Sequence, residues 1–165
     1  MANRKLQLEP LTSKAFGPFG VVVETPDLSP ESINEGHTLK FADLLPFDCD
    51  HEGGRVALHL YRSEARQLPL EIRDLERHPL GSQAFWPLSG RPYVVVVAPP
   101  GPAPEASKVR AFLARGHQAI QYHRGTWHHY QVSLEADSDY LVLDRQGPGN
   151  NCEEFTLSEP LTIFL

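Results

Sequence analysis

Cysteine is scarce. The two in 165 residues, Cys49 and Cys152, form no CxxC pair and suggest no disulfide framework, so a reducing cytoplasm is the expected compartment. Positive charge is also in short supply: 15 Lys and Arg stand against 21 Asp and Glu, a net −6 with His neutral. That balance argues against nucleic acid or an anionic membrane surface as a partner. It leaves room for an anionic small molecule in a local Arg/His pocket. No apolar run approaches the length of a membrane span. The first ten residues alternate polar and apolar with no h-region, so no signal peptide is expected. Internal repeats, coiled-coil heptads and low-complexity tracts are missing too.

What is present points to β-structure. Fifteen prolines and twelve glycines interrupt the chain too often for long helices. A hydrophobic share of 41% and a charged share of 22% suit a globular protein, and the length suits one domain over residues 1–165. Residues 19–24 (FGVVVE) are β-branched and apolar. Residues 55–62 (RVALHLYR) alternate, with Val56, Leu58 and Leu60 on one side and Ala57, His59 and Tyr61 on the other. Further strands are expected at 70–78, 83–87, 118–123, 128–134, 140–144, 153–157 and 161–165. The run 93–98 (YVVVVA) is apolar throughout and should be buried on both faces. Residues 109–114 fit strand or helix. A helical turn at 13–16 and a short helix at 41–45, ended by Pro46, complete the elements; 25–30, 47–54, 99–105 and 145–151 read as loops. So many short strands at close spacing predict a sandwich, jelly roll or barrel.

The densest chemistry lies in Tyr122-His123-Arg124-Gly125-Thr126-Trp127-His128-His129, where three imidazoles and a guanidinium surround one glycine. It reads as two strands joined by a tight Arg-Gly turn. A lone strand histidine is usually a satisfied structural residue, whereas a cluster of this kind marks a metal or acid–base site. A second stretch runs Glu76-Arg77-His78-Pro79-Leu80-Gly81-Ser82-Gln83. Period-2 geometry puts Glu76 and His78 on one strand face, and Gly81 lets Gln83 turn back toward them. Small β-barrels hold ligands in the mouth when such side chains converge. Trp127 reads as core, His59 as a structural hydrogen-bonding group, and His37 and His51 as solvated loop residues.

The two stretches resemble the paired motifs of the cupins. The first cupin motif is a His-x-His pair, a Glu after a short gap, then a Gly; here it reads Glu76-x-His78-x-x-x-x-Gln83 with Gly90 following. The second contains Pro-x-Gly-x-x-His and here reads His123-x-Gly125-x-x-His128. Spacing agrees while three identities differ. Carried over position by position, the four-ligand set becomes Glu76, His78, Gln83 and His128. Two imidazoles and a carboxylate suit a divalent first-row metal. The alternative is a pocket that keeps these groups for substrate hydrogen bonds alone.

Longer strings resemble the ureidoglycolate lyases, formerly called ureidoglycolate hydrolases. They are Leu75-Glu76-Arg77-His78-Pro79-Leu80-Gly81-Ser82-Gln83-Ala84-Phe85, the eight residues from Tyr122 to His129, and Val142-Leu143-Asp144-Arg145 through Asn151-Cys152. Leu8-Glu9-Pro10-Leu11-Thr12, Phe16-Gly17-Pro18-Phe19-Gly20 and Ile33-Asn34-Glu35-Gly36 fit as well. The resemblance implies a cupin-type double-stranded β-helix, a jelly-roll barrel with few short helices. It also implies a homodimer, one nickel-type divalent ion and no organic cofactor. The implied reaction is cleavage of ureidoglycolate to glyoxylate and urea in allantoin breakdown.

Such a lysis removes the hydroxyl proton and protonates the leaving nitrogen as the C–N bond breaks, so a base, an acid and a carboxylate anchor are needed. Arg124 or Arg77 offers the planar fork that matches a carboxylate. Glu76 or His128 is the base unless it holds metal, and His123 or His129 protonates the nitrogen. A bound metal would chelate the carboxylate and hydroxyl and lower the hydroxyl pKa. The expected catalytic group is therefore Glu76, His128 and His123, with Arg77, Arg124 and His129 on the substrate. Arg77 lies one position off the face of Glu76 and His78, and His129 alternates away from His128, so each has solvent as its other option. Two rivals stand: another metal-dependent cupin enzyme acting on a small carboxylic acid, and a non-catalytic binder of small acids. Converging acid, base and Arg residues favour an enzyme, since a binder needs fewer titratable groups.

Overall fold

A computed structural model describes residues 4–25 and 28–165. Residues 1–3 and 26–27, which carry parts of the expected N-terminal alternation and of the 25–30 loop, lie outside the described residues. The chain begins with β1 (Arg4–Pro10), then one helical turn, α1 (Ser13–Phe16), whose N-cap Thr12 accepts a hydrogen bond from Ala15 N–H at 3.1 Å. Next come β2 (Gly20–Val23), β3 (Glu31–Ile33), β4 (Thr38–Lys40), β5 (Arg55–Ser63), β6 (Leu70–Arg77), β7 (Gln83–Pro87) and β8 (Tyr93–Ala98). The chain ends with β9 (Arg110–Ala114), β10 (Ala119–Tyr122), β11 (Trp127–His128), β12 (Val132–Ser133), β13 (Ser138–Gln146) and β14 (Glu153–Phe164). The mostly-β class with few short helices is therefore as expected.

β11, β6, β14, β1, β9 and β8 pair in that order, and β8 pairs back to β11, closing a barrel; β12 extends from β8. The second sheet runs β2, β10, β7, β13, β5, and β3 with β4 forms a separate hairpin. Leu6, Ile72, Val94, Val96, Trp127 and Ile163, all from barrel strands, make one core cluster. Phe16, Phe85, Tyr93, Val95, Val97 and Val142 make the other, between β8 and the second sheet. β8 thus feeds both cores with alternate residues, as its unbroken apolar run predicts, and all six are fully buried. Each buried valine of that run contributes on the order of 1.5–3 kcal/mol.

Four local expectations are corrected and one open alternative is settled; the strand expected over 128–134 is two short ones, β11 and β12, with 129–131 outside any strand. Residues 41–45 are not a helix; Asp43 takes a φ of 52°, which no helix tolerates. Residues 109–114 resolve to the strand β9. The stretches 153–157 and 161–165 are a single strand, β14, whose register against β6 shifts between Thr156 and Leu161; the irregularity accommodates Pro160, which has no N–H for the ladder. The strands around the Arg-Gly turn are not hairpin partners: β10 pairs with β2 and β7, while β11 pairs with β6 and β8. The chain passes there from one sheet to the other. On β5 the apolar side faces outward, with Leu58 63% and Leu60 57% exposed; on the other side Ala57 is buried while His59 and Tyr61 are exposed.

Candidate active site

The crossover between the sheets sets the site. In the turn, Thr126 N–H donates to His123 O at 3.0 Å, and Thr126 Oγ1 anchors to Phe19 O at 2.8 Å. Gly125, at a φ of 80°, donates its N–H to His78 O at 2.9 Å and so ties the turn to the end of β6. One step on, His128 sits directly opposite Glu76 in the β11–β6 pair. Their facing atoms, His128 Nε2 and Glu76 Oε1, are 3.4 Å apart, and His78 Nε2 lies 4.0 Å from the same oxygen. One donor atom from each of the three residues falls within 4.8 Å of the others.

Backbone carbonyls decide which imidazole nitrogen is free. His78 Nδ1 meets Asn151 O at 2.6 Å, His128 Nδ1 meets Thr126 O at 3.0 Å, and His129 Nδ1 meets Asp74 O at 2.8 Å. A carbonyl only accepts, so each Nδ1 carries a proton, and in the neutral ring it is Nε2 that has the lone pair. All three Nε2 atoms are buried with no hydrogen-bond partner among the described residues. The 147–152 loop also receives Leu80 N–H on Asn151 Oδ1 at 2.8 Å, so it fixes His78 from behind. Tyr122 stacks flat on His128, with ring centroids 4.1 Å apart.

Burial holds His128 below the ordinary imidazole value, outweighing the pull of Glu76, which favours the neutral ring. Contact with His128 holds the Glu76 carboxyl below the ordinary carboxylate value, against burial that would raise it. His129 is likewise held low by burial. With both rings neutral, a carboxylate and two imidazole lone pairs converge at this point. Such a trio is a donor set that could hold a divalent cation, and carbonyl partners behind both imidazoles are what metal-holding histidines have. The amide oxygen of Gln83, buried and without a partner, is a fourth donor on the same cavity wall.

The cavity of about 420 Å³ lies between the barrel and the second sheet. It brings together Glu76, His78, Gln83, His128 and His129 from the sequence reading. Three other expected residues are not part of its wall. Arg77 is turned away: it pairs with Glu153 at 2.5 Å, contacts Gly101 O and lies over the Trp127 ring at 4.7 Å. Arg124 is on the exposed side of the turn with Asp48 at 3.5 Å and His51. His123, on the same turn, is exposed. The wall also holds Tyr61, Asp144 and Cys152, which had not been singled out as site residues. Tyr61 shares the less apolar side of 55–62 with His59, so the β5 alternation gave no signal that it borders the cavity. Asp144 and Cys152 fall within residues 142–152, with nothing in their own spacing to mark them.

Residues 3–164 match the family described as ureidoglycolate lyase. The chain belongs to the ureidoglycolate lyase family. A protein named ureidoglycolate lyase from Burkholderia mallei (strain NCTC 10229) is 50% identical over 160 residues, covering 97% of this chain and 94% of that one. One of the same name from Pseudomonas putida (strain W619) is 46% identical over 98% of this chain and 97% of its own. Another, from Pseudomonas syringae pv. syringae (strain B728a), is 46% identical with 98% and 95% covered. The ureidoglycolate lyase strings around Glu76 and His128 are the two that the β11–β6 pairing brings face to face.

Proposed function

We propose that this chain is a ureidoglycolate lyase that splits ureidoglycolate into glyoxylate and urea, a carbon–nitrogen lyase step in purine nitrogen breakdown by way of allantoin. The observation that carries the site reading is the convergence of Glu76, His78 and His128 at one end of a cavity of suitable size. Charge adds to it. The cavity wall has two carboxylates, Glu76 and Asp144, and among the described residues no Arg or Lys. An anionic substrate entering such a wall needs a counter-charge, and Glu76, His78, Gln83 and His128 would hold it as one divalent ion of nickel type. The ion would supply a Lewis acid for the substrate carboxylate and hydroxyl.

The chain's own groups then divide the work. His129 lines the cavity, its Nδ1 on Asp74 O, its Nε2 without a partner among the described residues, and burial holds the ring below the ordinary imidazole value. It is placed to take the hydroxyl proton and return it to the departing nitrogen, and one imidazole suffices because the reaction is proton-neutral. Glu76 stays ionised beside it, and Tyr122 behind His128 keeps that ring in plane. Arg77, Arg124 and His123 support the scaffold instead of touching substrate. The chain acts as one domain in the cytoplasm, and the exposed apolar face of β5 supports a homodimer. The test is substitution: Glu76→Gln and His128→Ala should each lose bound metal and turnover while retaining the far-ultraviolet spectrum and the melt of a folded protein. Either variant turning over at the wild-type rate contradicts the assignment.

A further inference from the structure

We propose that Asp144 is a positioning residue: its carboxylate turns the Gln83 amide so that the carbonyl oxygen, not the NH₂, is presented to the Glu76, His78 and His128 group. The inference depends on the metal-holding reading above and extends it to a residue outside the ligand set.

A glutamine is an ambiguous ligand. Its two amide ends have nearly the same shape, but only the oxygen has lone pairs for a cation. Something must therefore choose the end. Gln83 is 4% exposed, so water does not make the choice. Its Nε2 donates to Asp144 Oδ2 at 3.3 Å, while Oε1 is buried without a partner. As a carboxylate, Asp144 offers acceptors only, so the reversed amide would set carbonyl oxygen against carboxylate oxygen. The orientation thus follows from the chemistry of the partner. Asp144 is itself fixed, because its Oδ1 accepts the Arg145 backbone N–H at 2.8 Å. Sheet register does the rest: β7 and β13 pair from Pro87/Tyr140 to Ala84/Leu143, which puts Gln83 and Asp144 next in line. Asp144 lines the cavity but is not one of the three donors that converge within 4.8 Å. It acts through Gln83.

The test uses nickel(II) alone as the probe, titrated into metal-free full-length protein by calorimetry. Asp144→Asn keeps the shape but lets the amide turn either way, and should weaken nickel binding by roughly 10–100-fold, the usual cost of losing an orienting partner behind a ligand. Asp144→Glu keeps an acceptor-only group and should bind better than Asp144→Asn. In a Gln83→Glu background the ligand has no wrong end, so Asp144→Asn should cost nothing there. The Gln83 side-chain NH₂ in ¹⁵N-glutamine-labelled protein gives a second readout. Its protons should be shifted and exchange slowly in wild type, and lose both properties in Asp144→Asn. Nickel affinity equal in wild type and Asp144→Asn overturns the proposal, as does the same loss with and without the Gln83→Glu change. Wild-type protein that takes up no nickel overturns the metal reading itself, and this proposal with it.

Discussion

His128 and His129 show how burial sets chemistry one residue at a time. Both rings sit below the ordinary imidazole value of 6.5 because the interior disfavours their charged form. In metal-free protein the unfolded chain therefore takes up these protons first as pH falls. The stability they contribute is whole above about pH 6.5 and is lost as pH drops through their folded-state values. Urea midpoints of metal-free protein should decline from about pH 7.5 to about pH 5.5, and His129→Gln should flatten part of that slope. A slope identical in the variant would mean that His129 is not held neutral by burial. Arg77 gives the opposite kind of expectation. Its guanidinium is engaged by Glu153 and the Trp127 ring. Arg77→Gln should therefore cost about 1 kcal/mol in denaturant unfolding and leave KM unchanged. At this scale the sequence was readable where partners are near in the chain: period-2 alternation alone put Glu76 beside His78. It was not readable for Asp144, whose partner Gln83 lies 61 positions away and is joined to it only by sheet register.

Between elements, the decisive feature is the turn at Gly125. A local pattern of strand, Arg-Gly and strand looks like a hairpin, because periodicity reports a turn but not which sheet each arm joins. Here the arms part, and the parting is what carries His128 across to Glu76. Gly125 holds a φ of 80°, and its N–H is the link to His78 O. Gly125→Ala should cost about 1 kcal/mol of stability from left-handed strain. Because the strain falls between His78 and His128, the two imidazoles of the proposed ligand set, kcat/KM and nickel affinity should fall by more than that stability loss accounts for. Steady-state kinetics beside a melt would check it; stability and activity falling together in proportion would contradict a special role for the turn. β8 was legible for the opposite reason, since a strand buried on both faces needs no partner information to be recognised. The 153–157 and 161–165 stretches misled because Pro160 looks like a strand end, and only the partner β6 shows the ladder resuming beyond it.

The molecule as a whole leaves an apolar face uncovered. Leu58 and Leu60 on β5 and Trp86 on β7 are exposed together on the outer side of the second sheet, and a groove of about 170 Å³ runs beside them. A face of this kind is what the proposed homodimer would cover. Leu58→Glu combined with Leu60→Glu should convert a dimer to a monomer in light scattering on a sizing column; a wild-type monomer would contradict the homodimer. The central claim concerns the reaction, and one measurement meets it directly. Pure protein of known metal content is incubated with racemic ureidoglycolate, and glyoxylate, urea and ammonia are followed separately. The account predicts glyoxylate and urea in equal amounts, with no ammonia, and activity that follows the bound metal. Ammonia in place of urea would make the chain a hydrolase with a water-activating site. No product from protein reloaded with a divalent metal would contradict the proposed activity outright.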